Sequence, residues 1–407
     1  MARFKAPVTA ALLVAYGSFY LCRANVDAAL PFLAREGFDK TSLGLLSSIA
    51  TLTYAVGKVV LGATGDALGG RRLLLLAVAG SVGCSFAFGT GHGFVAFVFF
   101  AAANRFFQSG GWPGLIQVVS QRFEPVRHGL VMGVLSTSYE LGNVCALTLS
   151  GLVARWGWHA LFVVNPILFA LVGGAAVLSL PAGPGARMHP AESPASERPL
   201  AEPLMRRLPH LLSSGAFWTA VALSALLTFI RIGFLTWTPT YLSEISHASG
   251  GRGIPGAIVK SALFPAAGVI AAPVFGVLSD RLGPGRRAPL MAASLTVVVA
   301  LVLVLAHGNV HGALAAAVLI GAIGLFLLGP YSLPAGALAL DVAGSKGPAT
   351  AAGIIDGAGY LGATASGYLL GHIADREGWS AAFDVVAGAA LLAALVSVGW
   401  AISAARR

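Results

Sequence analysis

The sequence predicts an all-helical membrane protein, with twelve transmembrane helices arranged as two pseudo-symmetric six-helix halves. Three observations carry that prediction. The 407-residue chain is 57% hydrophobic and 10% charged, against roughly 25% charged in an ordinary soluble domain. Its apolar residues gather in runs of roughly 20 or more, the length needed to cross a bilayer. The second half of the chain repeats the first. A soluble globule of this size needs far more polar residues to cover its surface. A disordered chain needs the opposite composition, and a transmembrane β-barrel alternates apolar and polar residues over short segments.

Taken in order, the spans fall at about 7–32, 42–65, 73–91, 94–120, 129–153 and 158–180, then 215–242, 255–279, 288–306, 311–339, 346–371 and 378–403. The first starts near Pro7 and runs past Pro31, too long for the apolar core of a cleavable leader. Charged or polar breaks separate each span from the next: Arg35 and Lys40, Arg71 and Arg72, His92, Arg122 and Arg127, then Arg155. Between the sixth and seventh spans, residues 181–212 are rich in proline and charge and have no apolar period. They read as a linker between an N-terminal bundle, 1–180, and a C-terminal bundle, 213–407. In the second bundle the breaks are Arg252, then Arg281 with Arg286 and Arg287, then His307 and His311, Lys346, and Arg376.

Twelve spans put both termini on one side. Of the 26 Lys and Arg residues, sixteen lie in loops on the side of the termini and five (Arg35, Lys40, Arg155, Arg252 and Arg376) on the other. The bias places the termini and the linker in the cytoplasm, in a multi-pass protein of the cytoplasmic (inner) membrane. The formal charge of +10 is thereby a membrane-orientation signal, and no nucleic-acid partner is expected. Cys22, Cys84 and Cys145 are odd in number and irregularly spaced, so neither a disulfide framework nor a metal site is expected.

The halves repeat segment by segment. GATGDALGGRR (62–72) matches GVLSDRLGPGRR (276–287), and YELGN…RWGWHALF (139–162) matches GYLGA…DREGWSAAF (359–383). RANVDAALPFL, which begins at Arg23, has a looser counterpart in RIGFLTWTPTYL, which begins at Arg231. The offsets run from 208 to 221 residues, so six helices are duplicated in the same order and orientation. Parallel repeats of this kind mark transporters built as two halves around a central site.

The repeated G-x3-D-x2-G-x-x-R-R type loop resembles the signature of the major facilitator superfamily. More narrowly, YLCRANVDAALPFL, TYAVGKVVLGATGD, QSGGWPG and IRIGFLTWTPTYL resemble the organophosphate:phosphate antiporter family. That resemblance implies the major facilitator fold and exchange of a small anionic phosphate ester for inorganic phosphate. It also implies that Arg23 and Arg231 bind the phosphate and that Lys58 lies close to it. The chain departs from the family pattern at Ala24, where a lysine is usual, and at Tyr139-Glu140, where a His-Asn pair is usual.

Independently of the resemblance, an ionised side chain inside a bilayer is costly and usually faces a cavity. Arg23 and Arg231 lie at similar depth, one in each half, and two guanidinium forks facing each other can clamp one phosphate. Tyr16, Tyr20, Arg23 and Asp27 share one helical face, which makes the tyrosines either site donors or packing residues. Asp27, one turn from Arg23, is expected to neutralise it in part. Lys58 either reaches the cavity or snorkels. Arg105, in NRFFQSGG, holds a structural ion pair or takes part in transport. Tyr139 and Tyr360 are further binding candidates. Glu140 is expected to balance Arg105 or another cavity cation, and Asp356 to pair with a cavity arginine, unless either carries a proton. Asp66, Arg71 and Arg72, with Asp280, Arg286 and Arg287, are expected to act in gating.

No nucleotide-binding G-x-x-x-x-G-K-[ST] pattern occurs, so neither an ATP-driven pump nor an enzyme is expected, and no cofactor. The reading is a secondary transporter of organic phosphate esters, able to work as a monomer. Its alternatives are a proton-coupled symporter of an organic anion such as a sugar acid, and a transporter-like phosphate-ester sensor. The orientation has a direct test: a cysteine placed at Ser196 stays unlabelled by an impermeant thiol reagent added to intact cells. Efficient labelling from outside reverses the topology.

Overall fold

The computed structural model describes residues 6–123, 128–181, 212–248, 253–334, 338 and 348–405. Most of the linker, with Arg206 and Arg207, lies outside the described residues, as do the loop cations Arg3, Lys5, Arg127, Arg252 and Lys346 and the side chain of Asp66.

Twelve helical rods form among the described residues. In the first half they are α1 (Ala6–Arg35), α2 (Lys40–Leu68), α3 (Gly70–Thr90), α4 in two pieces (Phe94–Gln108 and Gly111–Arg122), α5 (His128–Val153) and α6 (Trp158–Ser179). In the second they are α7 (Gly215–Ala248), α8 in two pieces (Ile254–Ser261 and Leu263–Leu282), α9 (Arg287–His307), α10 (Ala313–Tyr331), α11 (Pro348–Arg376) and α12 (Trp379–Ala405). Nine helical stretches of the described residues are long and apolar enough to cross a membrane. Most observed rods extend a few residues beyond the apolar runs, because the helix continues into polar ends that the apolar pattern does not mark. Large apolar side chains such as Val95, 81% exposed, cover the outside of the bundle, as a lipid-facing surface requires.

Inside the first half, polar groups bond across helices. Asn104 of α4 donates to the Ser81 carbonyl and the Ser85 hydroxyl of α3, and Asn25 of α1 donates to Ser85 as well. Asn165 of α6 donates to Ser150 of α5. Bonds of this kind join membrane helices where no hydrophobic force distinguishes a neighbour from lipid.

The duplication is visible in matched details. Trp158 donates to Glu36 at 2.6 Å in the first half, and Trp379 donates to Glu244 at 2.7 Å in the second. The turn glycines Gly69 and Gly283 have φ of 83° and 82°, a left-handed conformation that an L side chain strains to adopt. Both stand in the repeated GATGDALGGRR and GVLSDRLGPGRR segments.

The halves meet chiefly through α2 with α11 and α5 with α8, with α1 also touching α7. Many of these contacts lie toward the end of the bundle that carries the α1–α2 turn. There Lys40 pairs with Glu244 at 3.2 Å, and Thr41 donates to Asp375 at 3.0 Å and lies 3.3 Å from His372. Asp39 caps α2 by accepting from the Ser42 amide at 2.6 Å, and the Ser42 hydroxyl and amide together hold its carboxyl below the usual range. Gly44 sits so close to α11 that an added Cβ would fall 3.0 Å from the Tyr368 Cα and meet Gly367.

That close approach is testable. With Cys22, Cys84 and Cys145 replaced by serine, cysteines at Thr41 and Asp375 are joined by a short bifunctional thiol reagent. Adding Gly44→Val lowers the yield several-fold, whereas an unchanged yield would show that α2 and α11 do not need the glycine to meet.

Candidate functional site

A cavity lies between the halves. From the first half it is lined by Tyr20, Arg23, Ala24 and Asp27 of α1, Ser47, Thr51 and Tyr54 of α2, Arg105 of α4, and Asn143 and Leu147 of α5. The second half contributes Arg231, Ile232, Leu235 and Thr236 of α7 and Tyr360 of α11. The two repeat-related arginines therefore share one cavity wall, and both are buried.

Their partners differ. Arg23 donates from Nε to Gln108 Oε1 at 2.9 Å and from Nη1 to the Tyr20 hydroxyl at 3.4 Å. Its guanidinium also lies 4.8 Å from the Tyr20 ring centre and 4.6 Å from that of Tyr54. Among the described residues it has no carboxylate partner. Arg231 instead donates from Nη2 to Glu140 Oε1 at 3.0 Å, with Tyr331 at 4.9 Å and Tyr139 at 5.7 Å from its guanidinium.

Two further pairs complete the set. Arg105 lies 3.3 Å from Asp27, and its guanidinium also donates to the Arg23 carbonyl at 3.4 Å. Lys58 pairs with Asp356, and its ammonium lies 4.2 Å from the Tyr360 ring centre, while the Tyr54 and Tyr360 rings are 4.8 Å apart. Glu140–Arg231 and Lys58–Asp356 each join one half to the other. Arg105–Asp27 stays within the first.

Two of the three acids thus have partners other than those expected from sequence, and Glu140 has the other cavity cation expected as its alternative to Arg105. Asp27 serves Arg105 rather than Arg23, because α4 approaches α1 on the side where Asp27 projects. Glu140 serves Arg231 across the interface, and Asp356 serves a lysine. Tyr16 is buried behind the cavity, packed edge-on to Tyr20 and Trp112, and does not line it. The structure adds Tyr54, Gln108 and Tyr331, which the sequence reading passed over. Tyr54 stands one turn before Lys58 and Gln108 three residues after Arg105, so helical spacing from a known charge was the available signal. Tyr331 has no such neighbour.

The gating candidates are placed at the opposite end from the α1–α2 turn. Arg71 donates to the carbonyls of Val177 at 3.3 Å and Leu178 at 3.1 Å, at the end of α6. There its charge also meets the negative end of the helix. Arg287 lies 3.3 Å from Asp280 and donates to Ser279 at 3.2 Å. Arg72 and Arg286 are exposed. Each of these bonds lies within one half. Among the described residues no His, Cys, Asp and Glu group is arranged to hold a metal ion, and the three cysteines are free.

A profile of the Major Facilitator Superfamily matches residues 12–367. The "Putative glycerol-3-phosphate transporter 3" of Arabidopsis thaliana is 30% identical over 400 residues, covering 88% of this chain and 76% of its own. The "Glycerol-3-phosphate transporter" of Bacillus subtilis (strain 168) is 25% identical over 412 residues, covering 96% and 91%. The "Probable hexose phosphate transport protein" of Chlamydia trachomatis serovar D is 26% identical over 408 residues, covering 95% and 88%. Among solved structures, a bacterial homolog of the human lysosomal transporter Spinster aligns with a TM-score of 0.79 at 14% identity, covering 100% of this chain and 98% of that one. A D-xylose–proton symporter aligns at 0.76 and 14%, covering 97% of each. These structures share the fold.

The Arg105–Asp27 pair is partly buried, with 17% and 11% of the side chains exposed. Removing one member leaves a poorly solvated charge, at about 1–3 kcal/mol. Asp27→Ala is therefore expected to lower the thermal midpoint of the solubilised protein, and Asp27→Ala with Arg105→Met to recover most of the loss. Losses that simply add would show that the two charges act separately.

Proposed function

Because the chain belongs to the Major Facilitator Superfamily, we propose that this membrane transporter carries organic phosphate esters and exchanges them for inorganic phosphate by alternating access. The observation that carries the proposal is the pair of buried arginines, one from each half, on the wall of one cavity. A phosphate has oxygens enough to accept from both guanidiniums, and each fork matches two of them. An ester held this way bridges the halves and draws them together. The names of the relatives in Arabidopsis, Bacillus and Chlamydia support phosphate esters as the cargo.

Tyr20, Tyr54 and Tyr360 offer hydroxyls and ring faces around the same cavity, and in this reading they position the ester. Lys58, against the Tyr360 ring behind the wall, adds positive charge when Asp356 is drawn away. The orientation proposed with it has both termini in the cytoplasm and the protein in the inner membrane, on the loop charge distribution. The bundles are proposed to move as the units 1–180 and 213–407, joined by the linker.

Liposomes loaded with phosphate test the proposal. They are expected to take up labelled glycerol 3-phosphate or a hexose phosphate by counterflow, without a pH gradient. Binding with no uptake would instead indicate a sensor. Arg23→Lys and Arg231→Lys are each expected to lower uptake more than tenfold, because two lost hydrogen bonds at about 1 kcal/mol or more apiece exceed the 1.4 kcal/mol of a tenfold change. Lysine keeps the charge but not the fork. Near-normal uptake by either variant at normal abundance in the membrane would remove the clamp.

A further inference from the structure

Glu140 already does for Arg231 what a phosphate would do. Its Oε1 lies 3.0 Å from Arg231 Nη2, with 4% of the glutamate and 5% of the arginine side chain exposed. Glu140 Oε2, Arg231 Nε and, one turn along α5, Asn143 Nδ2 are buried without a hydrogen-bond partner. The arginine fork is thus half used, by an anion that belongs to the protein. A phosphate that needs the fork meets this carboxylate already seated there, and two anions on one buried guanidinium repel.

Resting on the phosphate-ester reading above, we propose that Glu140 is a proton site loaded by the substrate. A dianionic phosphate ester displaces the carboxylate from Arg231, and Glu140 takes one proton from water as it leaves the ion pair. The balance is simple: the carboxylate becomes a carboxylic acid, the water that gave the proton is left as hydroxide and is reprotonated by the buffer acid, and the ester remains a dianion. A carboxylate that loses its only cation in a dry site is far less stable than the acid.

Among the described residues the surroundings provide no second cation. From α1 the carboxylate faces Tyr20 and, beyond it, Arg23, whose fork the same phosphate engages. From α10 it faces Tyr331, from α5 itself Tyr139, and from α7 Arg231 alone. From α8 it meets the backbone at Gly268, where an added Cβ would lie 3.1 Å from the carboxyl carbon. Asp356 differs in kind. With 37% of its side chain exposed, it can be hydrated as it parts from Lys58. Of the two cavity acids that pair across the halves, Glu140 is the one whose carboxylate is buried.

The test is calorimetry on the purified full chain, titrated with glycerol 3-phosphate and, separately, inorganic phosphate. It is run at pH 8, above the ester's second phosphate pKa of about 6, in buffers of different ionisation enthalpy. The wild-type protein is expected to take up about one proton per ester bound, and its affinity to fall about tenfold per pH unit between pH 7 and 9. Glu140→Gln is expected to bind with no proton uptake and a flat pH profile. Should that variant not fold, the wild-type proton count decides by itself, and binding without uptake overturns the proposal. Uptake that persists in Glu140→Gln places the proton elsewhere and overturns it too. Failure of the wild-type protein to bind either probe at any pH defeats the phosphate-ester reading, and this inference with it.

Discussion

The structure depends on one constraint: a charge inside a membrane bundle has to be neutralised or solvated where it stands. Four cations meet between the halves, and three of them, Arg105, Arg231 and Lys58, are matched by Asp27, Glu140 and Asp356. Arg23 alone is held by neutral groups, an amide oxygen and two aromatic faces. The cavity therefore carries one uncompensated positive charge among these seven groups. That is the electrostatic basis for expecting an anion here rather than a sugar or a cation. The membrane does the rest, since low dielectric around the bundle strengthens whatever attraction the site exerts.

The same constraint couples binding to motion. Two of the three ion pairs run between halves, at Glu140–Arg231 and Lys58–Asp356. The halves cannot separate along these seams without parting the charges, and a buried charge left alone is expensive. An anion that takes over one partner removes part of that barrier. Contacts at the α1–α2 end are of another sort, a partly exposed Lys40–Glu244 pair and hydroxyl bonds from Thr41, each worth little in water. The halves are thus joined by buried charge pairs at the cavity, and at that end by close backbone packing with partly exposed polar bonds.

Much of this was legible in the sequence, and the limits are physical. Apolar runs and the repeat give the twelve rods, since helix period and span length are local properties. The repeat also pairs Arg23 with Arg231, because duplicated helices keep their depth. Neither signal says which helix a side chain meets. Asp27, Glu140 and Asp356 were recognised as acids in need of cations, yet each has a partner set by the tertiary fold: Arg105 of α4, Arg231 of α7 and Lys58 of α2. Tyr54 and Gln108 sit at helical spacing from Lys58 and Arg105 and were within reach of the pattern. Tyr331 was not, for only the fold of α10 brings it to Arg231. The linker and its arginines lie beyond what the structure describes, so orientation still rests on loop charge.

The duplicated backbone and the unequal charges have opposite symmetries. Trp158–Glu36 and Trp379–Glu244 show the repeat preserved far from the cavity. At the cavity it is broken, with an amide on one arginine and a carboxylate on the other. A site with true two-fold symmetry would present both guanidiniums alike and would suit a ligand that is itself symmetric, such as inorganic phosphate. An ester has one phosphate end and one different end. In the proposed reading, Arg23 offers charge without competition while Arg231 has to be released from Glu140 first, so the two arginines are not interchangeable steps. Gene duplication supplies equal positions, and the divergence of their neighbours gives the two positions different work.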